Sequence, residues 1–342
     1  MMTSASPEAA ARFGHTSSQP PESPTKRSTY ILNPRPTHIH NPTKDHKQTI
    51  ILLHGLGNNH GGMLPLLETT FKLPGSDPDE PATSLPELLP HAKFVLPNAP
   101  LARSTVFARK KVTQWFDLNV LKEPYCQENK GYKQTDNLNV SVQRIADLVD
   151  AESELVGGYE NVLILGISQG MALGATALLA IGRRIGGFVG LSGWVPWGDE
   201  MLMNEVVSEA DESSILSGDG LPNDQSPSIT FGYDDEEDIG RGSEPAEPPA
   251  RTAVEKIAFF VRGLLGFSWR AIHDDAEKTP IFIGHGSDDE KISVKYGRDA
   301  VALFEAAGFR VTWKLFDGLK HELPQDLSEV ADFMKSALVS GP

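Results

Sequence analysis

Asn161-Val-Leu-Ile-Leu-Gly-Ile-Ser-Gln-Gly-Met-Ala-Leu-Gly-Ala is the stretch that most restricts what this chain can fold into. Val162 to Leu165 is an apolar run of strand length with no polar alternation, which predicts a strand buried on both faces. Met171 to Ala180 is rich in Ala and Leu and predicts a buried helix. Gly166 and Gly170 flank Ser168 in a G-x-S-x-G pattern. Between a strand and a helix, that pattern makes a sharp turn that strains the serine backbone and lifts its hydroxyl away from the sheet. Gly174, one turn further on, keeps the helix surface small where it passes the strand. The Gln169 N–H, at the helix start, is placed to face developing negative charge. Ser168 is therefore a candidate nucleophile, and the plain alternative is a helix-capping serine.

The rest of the chain repeats the strand-then-helix theme. Thr49–Leu53, Lys93–Leu96, Gly187–Leu191, Pro280–Gly284 and Arg310–Phe316 read as strands. Gly62–Thr70, Leu85–Leu89, Asp136–Val156, Ser293–Ala307 and Pro324–Val339 read as helices. Strands alternating with helices of ten or more residues predict a mostly parallel sheet covered on both faces, with functional groups gathered beyond the strands' C-terminal ends. Tyr30–Asn33 is a candidate edge strand, and His38 and His40 lie in a Pro/Asn-rich loop that reads as surface. Leu101 to Trp115 reads as irregular.

Composition bears on location and partners. Cys126 is the only cysteine, so no intramolecular disulfide can form, which favours a cytoplasmic setting. No apolar run reaches about 18 residues, so stable membrane insertion is not expected. Residues 1–28 are Ser, Thr, Pro and Ala without apolar period and read as a disordered tail before one domain, 29–342. The net charge of −15 is local: Asp199 to Glu247 holds fifteen acidic residues and one basic residue, Arg241. Nucleic acid is not an expected partner of such a chain. This stretch belongs to a long insertion, 199–278, which reads as acidic and partly disordered. Within it, 252–272 carries an apolar face on Val254, Ile257, Phe260, Val261, Leu264 and Leu265. Because the insertion leaves and returns between strand ends, that helix is expected to dock over the active-site face as a lid.

The loops after the strands carry the chemistry. His54-Gly-Leu-Gly-Asn-Asn-His-Gly-Gly lacks the third glycine and the lysine of a phosphate-cradling loop. As the loop after an early strand it can instead supply a second oxyanion N–H, from Leu56, leaving His54 and His60 structural. Ser168, then Asp288 or Asp289, then His321 each follow a strand, in the order Ser, Asp, His. A serine needs an imidazole to take its proton, and the imidazole needs a carboxylate to hold its tautomer. The chemistry accepts either aspartate. His285 shares that strand end and would compete with them for the same place.

His54-Gly-Leu-Gly, Trp115-Phe-Asp, Gly166-Ile-Ser-Gln-Gly, Leu191-Ser-Gly-Trp, His285-Gly-Ser-Asp-Asp and His321 together resemble the acyl-protein thioesterase and lysophospholipase-like carboxylesterase family, over roughly Gln48 to Ala337. The resemblance implies an α/β-hydrolase fold with a long insertion before the strand carrying the acid. It implies a serine hydrolase of acyl esters or thioesters, S-acylated proteins among its substrates, working without cofactor or metal, and a weak homodimer. It implies Ser168 as nucleophile, His321 as base, Asp289 as acid, Leu56 and Gln169 as backbone oxyanion donors, and Trp115 and Trp194 bordering the acyl site. The chain departs from the family at Asn58, where Asp is usual, in the loop Glu290-Lys-Ile-Ser, and in the length of the insertion after Trp197. A lysophospholipase, and a noncatalytic scaffold binding a basic partner through the acidic insertion, are the alternatives.

Overall fold

Period-two alternation decides how the sheet is sandwiched. In β2 (Gln48–Leu53), Ile51 and Leu53 point into one core while Ile50 and Leu52 point into the other, and all four are fully buried. The computed structural model describes residues 36–203, 252–266 and 271–339, all within one compact unit. The expected tail, the Tyr30–Asn33 strand and nearly all of the acidic stretch lie outside the described residues.

The seven-stranded sheet runs β1 (His38–His40), β3 (Ala92–Leu96), β2, β6 (Val162–Ile167), β7 (Gly187–Leu191), β8 (Ile281–Gly286) and β9 (Val311–Phe316). Only β1 is antiparallel, pairing His38 with Leu96 and His40 with Phe94. His38 and His40 are thus an edge strand and not a loop. β1 is short, which suits an edge, and among the described residues no strand pairs with its outer side. Leu101 to Trp115 is not wholly irregular either: β4 (Leu101–Arg103) and β5 (Lys111–Thr113) form a separate antiparallel hairpin.

One face of the sheet is covered by α3 (Tyr132–Val156), α4 (Gln169–Ile181), α5 (Ala253–Leu265) and α6 (Val294–Ala306). The other is covered by the short α1 (Pro65–Glu68) and α2 (Leu85–Leu88) and by α7 (Ser328–Val339). Gly62–Thr70 is not one helix; a 3₁₀ turn at His60–Met63 precedes α1, and Pro65 opens that helix at a position where its missing N–H costs nothing. α3 stops at Gly157, whose φ of 82° is the left-handed conformation a glycine C-cap supplies.

α5 corrects the expectation of a lid. Its apolar face joins the core on α4 and α3, with Val254, Ile257, Val261 and Leu265 buried, and none of its residues lines the cleft beside Ser168. The buried Arg262 fixes the placement: Nε donates to Ala180 O at 3.0 Å and Nη2 to Ile181 O at 3.2 Å. These carbonyls end α4, where a helix has acceptors without intrahelical donors and the negative end of its dipole. The attachment is therefore about a full helix length, roughly 20 Å at 1.5 Å per residue, from Ser168. α5 also ends at Leu265, with Gly266 at φ 70° as its C-cap, rather than continuing to Ile272. The first acidic residues of the insertion, Asp199 and Glu200, pair with Lys130 at 2.7 and 2.8 Å. No helix among the described residues is long and apolar enough to cross a membrane.

Candidate active site

The turn from β6 into α4 sets the serine. Ser168 has φ 56° and ψ −121°, a conformation that costs an L-residue about 1–3 kcal/mol and persists only where the surroundings enforce it. They do so from both sides: Ser168 N donates to Leu191 O at 2.8 Å, and Ala172 N to Ser168 O at 3.1 Å. The flanking glycines are a steric requirement. A Cβ on Gly166 would lie 2.3 Å from Gly170 O, and one on Gly170 would lie 2.0 Å from Leu53 O. Ser168 so presented is 5% exposed and lines a cleft.

From that hydroxyl a chain of hydrogen bonds runs outward. Ser168 Oγ lies 2.9 Å from His321 Nε2, and His321 Nδ1 lies 2.7 Å from Asp289 Oδ2. His321 sits in the loop after β9 and Asp289 in the loop after β8, so three strand ends converge. The Asp289 side chain is fully buried and its Oδ1 takes the N–H groups of Lys291 and Ile292, both at 2.9 Å. Burial opposes its ionisation, but hydrogen bonds from His285, His321 and the Ile292 N–H outweigh burial and hold the carboxyl well below the usual carboxylate range. Asp288 is turned outward, exposed, with Oδ1 taking the Ser287 hydroxyl at 2.9 Å. A carboxylate held ionised against Nδ1 makes Nε2 the basic nitrogen facing the serine.

Beside the serine, the β2 loop brings Leu56 to the cleft wall. Among the described residues, neither the Leu56 nor the Gln169 backbone N–H donates a hydrogen bond, so both are open to an anion. His54 is a structural member of this loop. Its Nε2 accepts the Ala99 N–H at 3.0 Å, which leaves the proton on Nδ1, 2.8 Å from Gly55 O. His60 packs on His38 with ring centroids 5.2 Å apart and donates its backbone N–H to Asn98 Oδ1 at 2.7 Å.

Trp115 and Trp194 do not border the cleft. Both are fully buried beneath it. Trp115 is drawn inward by its polar atoms: Nε1 donates to His54 O at 2.8 Å, and its N–H donates to Gln169 Oε1 at 3.0 Å. Trp194 packs edge-on against Phe116 at 6.3 Å. The Gln169 side chain does unforeseen work, since its Nε2 also donates to Phe116 O at 2.8 Å and ties the Trp115–Phe116 backbone to the start of α4. The walls of the cleft, about 650 Å³ in volume, come instead from Pro65, Phe107, Leu121, Ile167 and Leu323, with Lys291 and Glu322 at its polar side. Phe107 and Leu121 lie in segments without periodicity, so nothing in the sequence singled them out. Among the described residues no group of three or more His, Cys, Asp or Glu side chains is placed to hold a metal ion.

The arrangement can activate a serine, bind an oxyanion and seat an apolar chain. A family model described as phospholipase/carboxylesterase matches residues 79–217, a span that holds Ser168 and Gln169 but not Leu56, Asp289 or His321. The acyl-protein thioesterase 1 of Yarrowia lipolytica is 27% identical over 172 residues, 50% of this chain and 68% of that protein. The carboxylesterase SOBER1 of Arabidopsis thaliana is 25% identical over 292 residues, covering 84% of this chain and 90% of that protein. The crystal structure of Zea mays acyl-protein thioesterase 2 superposes with a TM-score of 0.55 at 21% identity, over 89% of this chain and 99% of that one, and so shares the fold. With that sheet, that elbow and these relatives, the chain is a serine hydrolase of the α/β-hydrolase fold, related to the phospholipase/carboxylesterase family.

Proposed function

We propose that this protein hydrolyses carboxylic ester or thioester bonds of acyl substrates through an acyl-enzyme, with Ser168 as nucleophile, His321 as base and Asp289 as acid. The observation that carries this reading is the unbroken relay from Asp289 through His321 to Ser168, 2.7 and 2.9 Å long, ending in an apolar cleft. His321 Nε2 takes the Oγ proton as Oγ attacks the acyl carbon, and returns it to the departing alcohol or thiol. Water then enters by the same route and releases the acid. The Leu56 and Gln169 amides receive the oxyanion; each such donor is worth about 10²–10³ in kcat where it has been removed from other hydrolases. Phe107, Leu121, Ile167 and Leu323 are the surface on which an acyl chain would lie.

Two relatives are named for protein thioesters and carboxylic esters, and a cleft lined by both apolar side chains and the charged Lys291 and Glu322 suits an acyl chain joined to a polar leaving group such as an S-acylated peptide. A noncatalytic scaffold has no use for a strained serine in contact with an imidazole. The test is a panel of acyl thioesters, short aryl esters and lysolipids at several chain lengths, run on wild type and Ser168→Ala. Turnover of the ester and thioester arms and labelling by a fluorophosphonate should both vanish in the variant. Undiminished labelling of Ser168→Ala would remove the nucleophile assignment, and turnover of lysolipids alone would move the substrate to that class.

A further inference from the structure

His285 is fully buried at the end of β8 and takes no part in the relay from Asp289 to Ser168. Its surroundings are specific. Nε2 lies 2.9 Å from Ile292 O and 3.3 Å from Asp289 Oδ2, the same oxygen that receives His321 Nδ1. Ile292 in turn gives its N–H to Asp289 Oδ1, so the imidazole, the Ile292 peptide and the carboxylate close a ring. An oxygen acceptor on each side of Nε2 assigns the proton to that nitrogen. Nδ1, also buried, has no hydrogen-bond partner among the described residues. It looks instead at Gly297 of α6, where a Cβ would stand 2.6 Å away. The ring is therefore seated by the absence of a side chain at 297, and its one N–H is committed to the Ile292 and Asp289 oxygens.

We propose that His285 is a positioning residue for the reaction, acting through Asp289: its Nε2–H holds the carboxylate in the rotamer that meets His321 and draws charge from the oxygen the base uses. The proposal rests on the reading of Asp289 as the acid. A buried carboxylate with two backbone donors on Oδ1 could still pivot about that oxygen, and the His285 N–H stops the pivot at Oδ2. By sharing Oδ2, the N–H also tempers how strongly the carboxylate holds a protonated His321. Among the described residues, Asp289 is the charged partner this imidazole meets, and on the α6 side Gly297 faces its Nδ1.

Substitution separates the N–H from the ring's bulk. His285→Gln keeps an N–H close to the place of Nε2, His285→Leu fills the space without a donor, and His285→Asn keeps an amide too short to reach. The measurements are kcat, KM and the pH profile of kcat/KM on a short ester, with thermal melting as the check on folding. His285→Leu and His285→Asn should lose roughly 10- to 100-fold in kcat with KM little changed, as expected of a small misplacement in a catalytic array. Their ascending acid limb should move to higher pH, because a carboxylate relieved of one donor holds the imidazolium more firmly. His285→Gln should retain kcat within a few fold and keep the wild-type limb. Should His285→Leu fail to fold, the Gln and Asn variants decide the matter between them. Equal kcat and an unmoved limb in all folded variants would overturn the proposal, as would a Gln variant as damaged as Leu, since then the ring's packing and not its N–H matters. Asp289→Asn distinguishes the two levels: if that variant is as active as wild type, the acid assignment fails first; if it is inactive while His285→Leu is not, only the positioning inference falls.

Discussion

At the scale of the residue, two adjacent carboxylates test how finely the site is built. Asp288→Asn should leave kcat within a few fold, while Asp289→Asn should lose on the order of 10⁴, the cost of favouring the wrong imidazole tautomer. Steady-state kinetics of the two variants check this, and a larger loss at Asp288 would place the acid one residue earlier. The difference follows from direction: Asp289 turns inward to His321 at 2.7 Å, whereas Asp288 takes the neighbouring Ser287 hydroxyl at the surface. Chemistry alone could not tell them apart, because consecutive residues in a loop share a strand end; the family resemblance pointed to Asp289, and the backbone path is what turns it inward. The elbow was legible for the opposite reason. Two glycines around a serine leave so few conformations that sequence is nearly geometry, and φ 56° is the outcome. The tryptophans were not legible, since an indole near a loop can serve as wall or as core. For Trp115 the indole N–H settled the matter by finding His54 O, a partner that no local pattern announces.

At the scale of the element, α5 shows what an amphipathic face does and does not say. Six apolar residues on one side dictate that the helix docks, but the surface it meets belongs to the fold. α4, all of whose residues are buried, offered a smooth Ala- and Leu-rich flank, and Arg262 completed the contact by donating to the last carbonyls of that helix. Arg262→Met should therefore destabilise the protein by roughly 2–3 kcal/mol, through buried carbonyls left without donors. It should leave kcat/KM at 25 °C and the preference between short and long acyl chains unchanged. Thermal melting together with the ester panel reads both. A changed chain-length profile at an unchanged melting temperature would return α5 to the active-site face. The capping box between Thr252 and Glu255 and the left-handed Gly266 give α5 its own start and stop.

At the scale of the whole molecule, the ionised Asp289 links the site to stability. Its carboxyl is depressed in the folded chain, so its contribution is fully present above the unfolded value of about 4 and is lost as the pH falls through the folded one. Acid titration of wild type and Asp289→Asn should show it: below about pH 4 the wild type gives up a part of its stability that the variant never had, so their difference narrows as the pH falls. A constant difference from pH 6 to pH 2 would deny the linkage. The strand order has a further consequence. Ser168 after β6 and Leu56 after β2 are carried by neighbouring strands, but His321 hangs from β9 at the far edge, about 14 Å away at the usual strand spacing, and its loop must cross the end of β8. It crosses so closely that a Cβ on Gly286 would lie 2.1 Å from Leu319 O. During synthesis, then, Leu56, Ser168 and Gln169 are in hand long before His321 is. With the proposed roles of Ser168 and His321, a nascent or partly unravelled chain would hold an inert alcohol, and reactivity would switch on only when the outermost strand had closed the sheet.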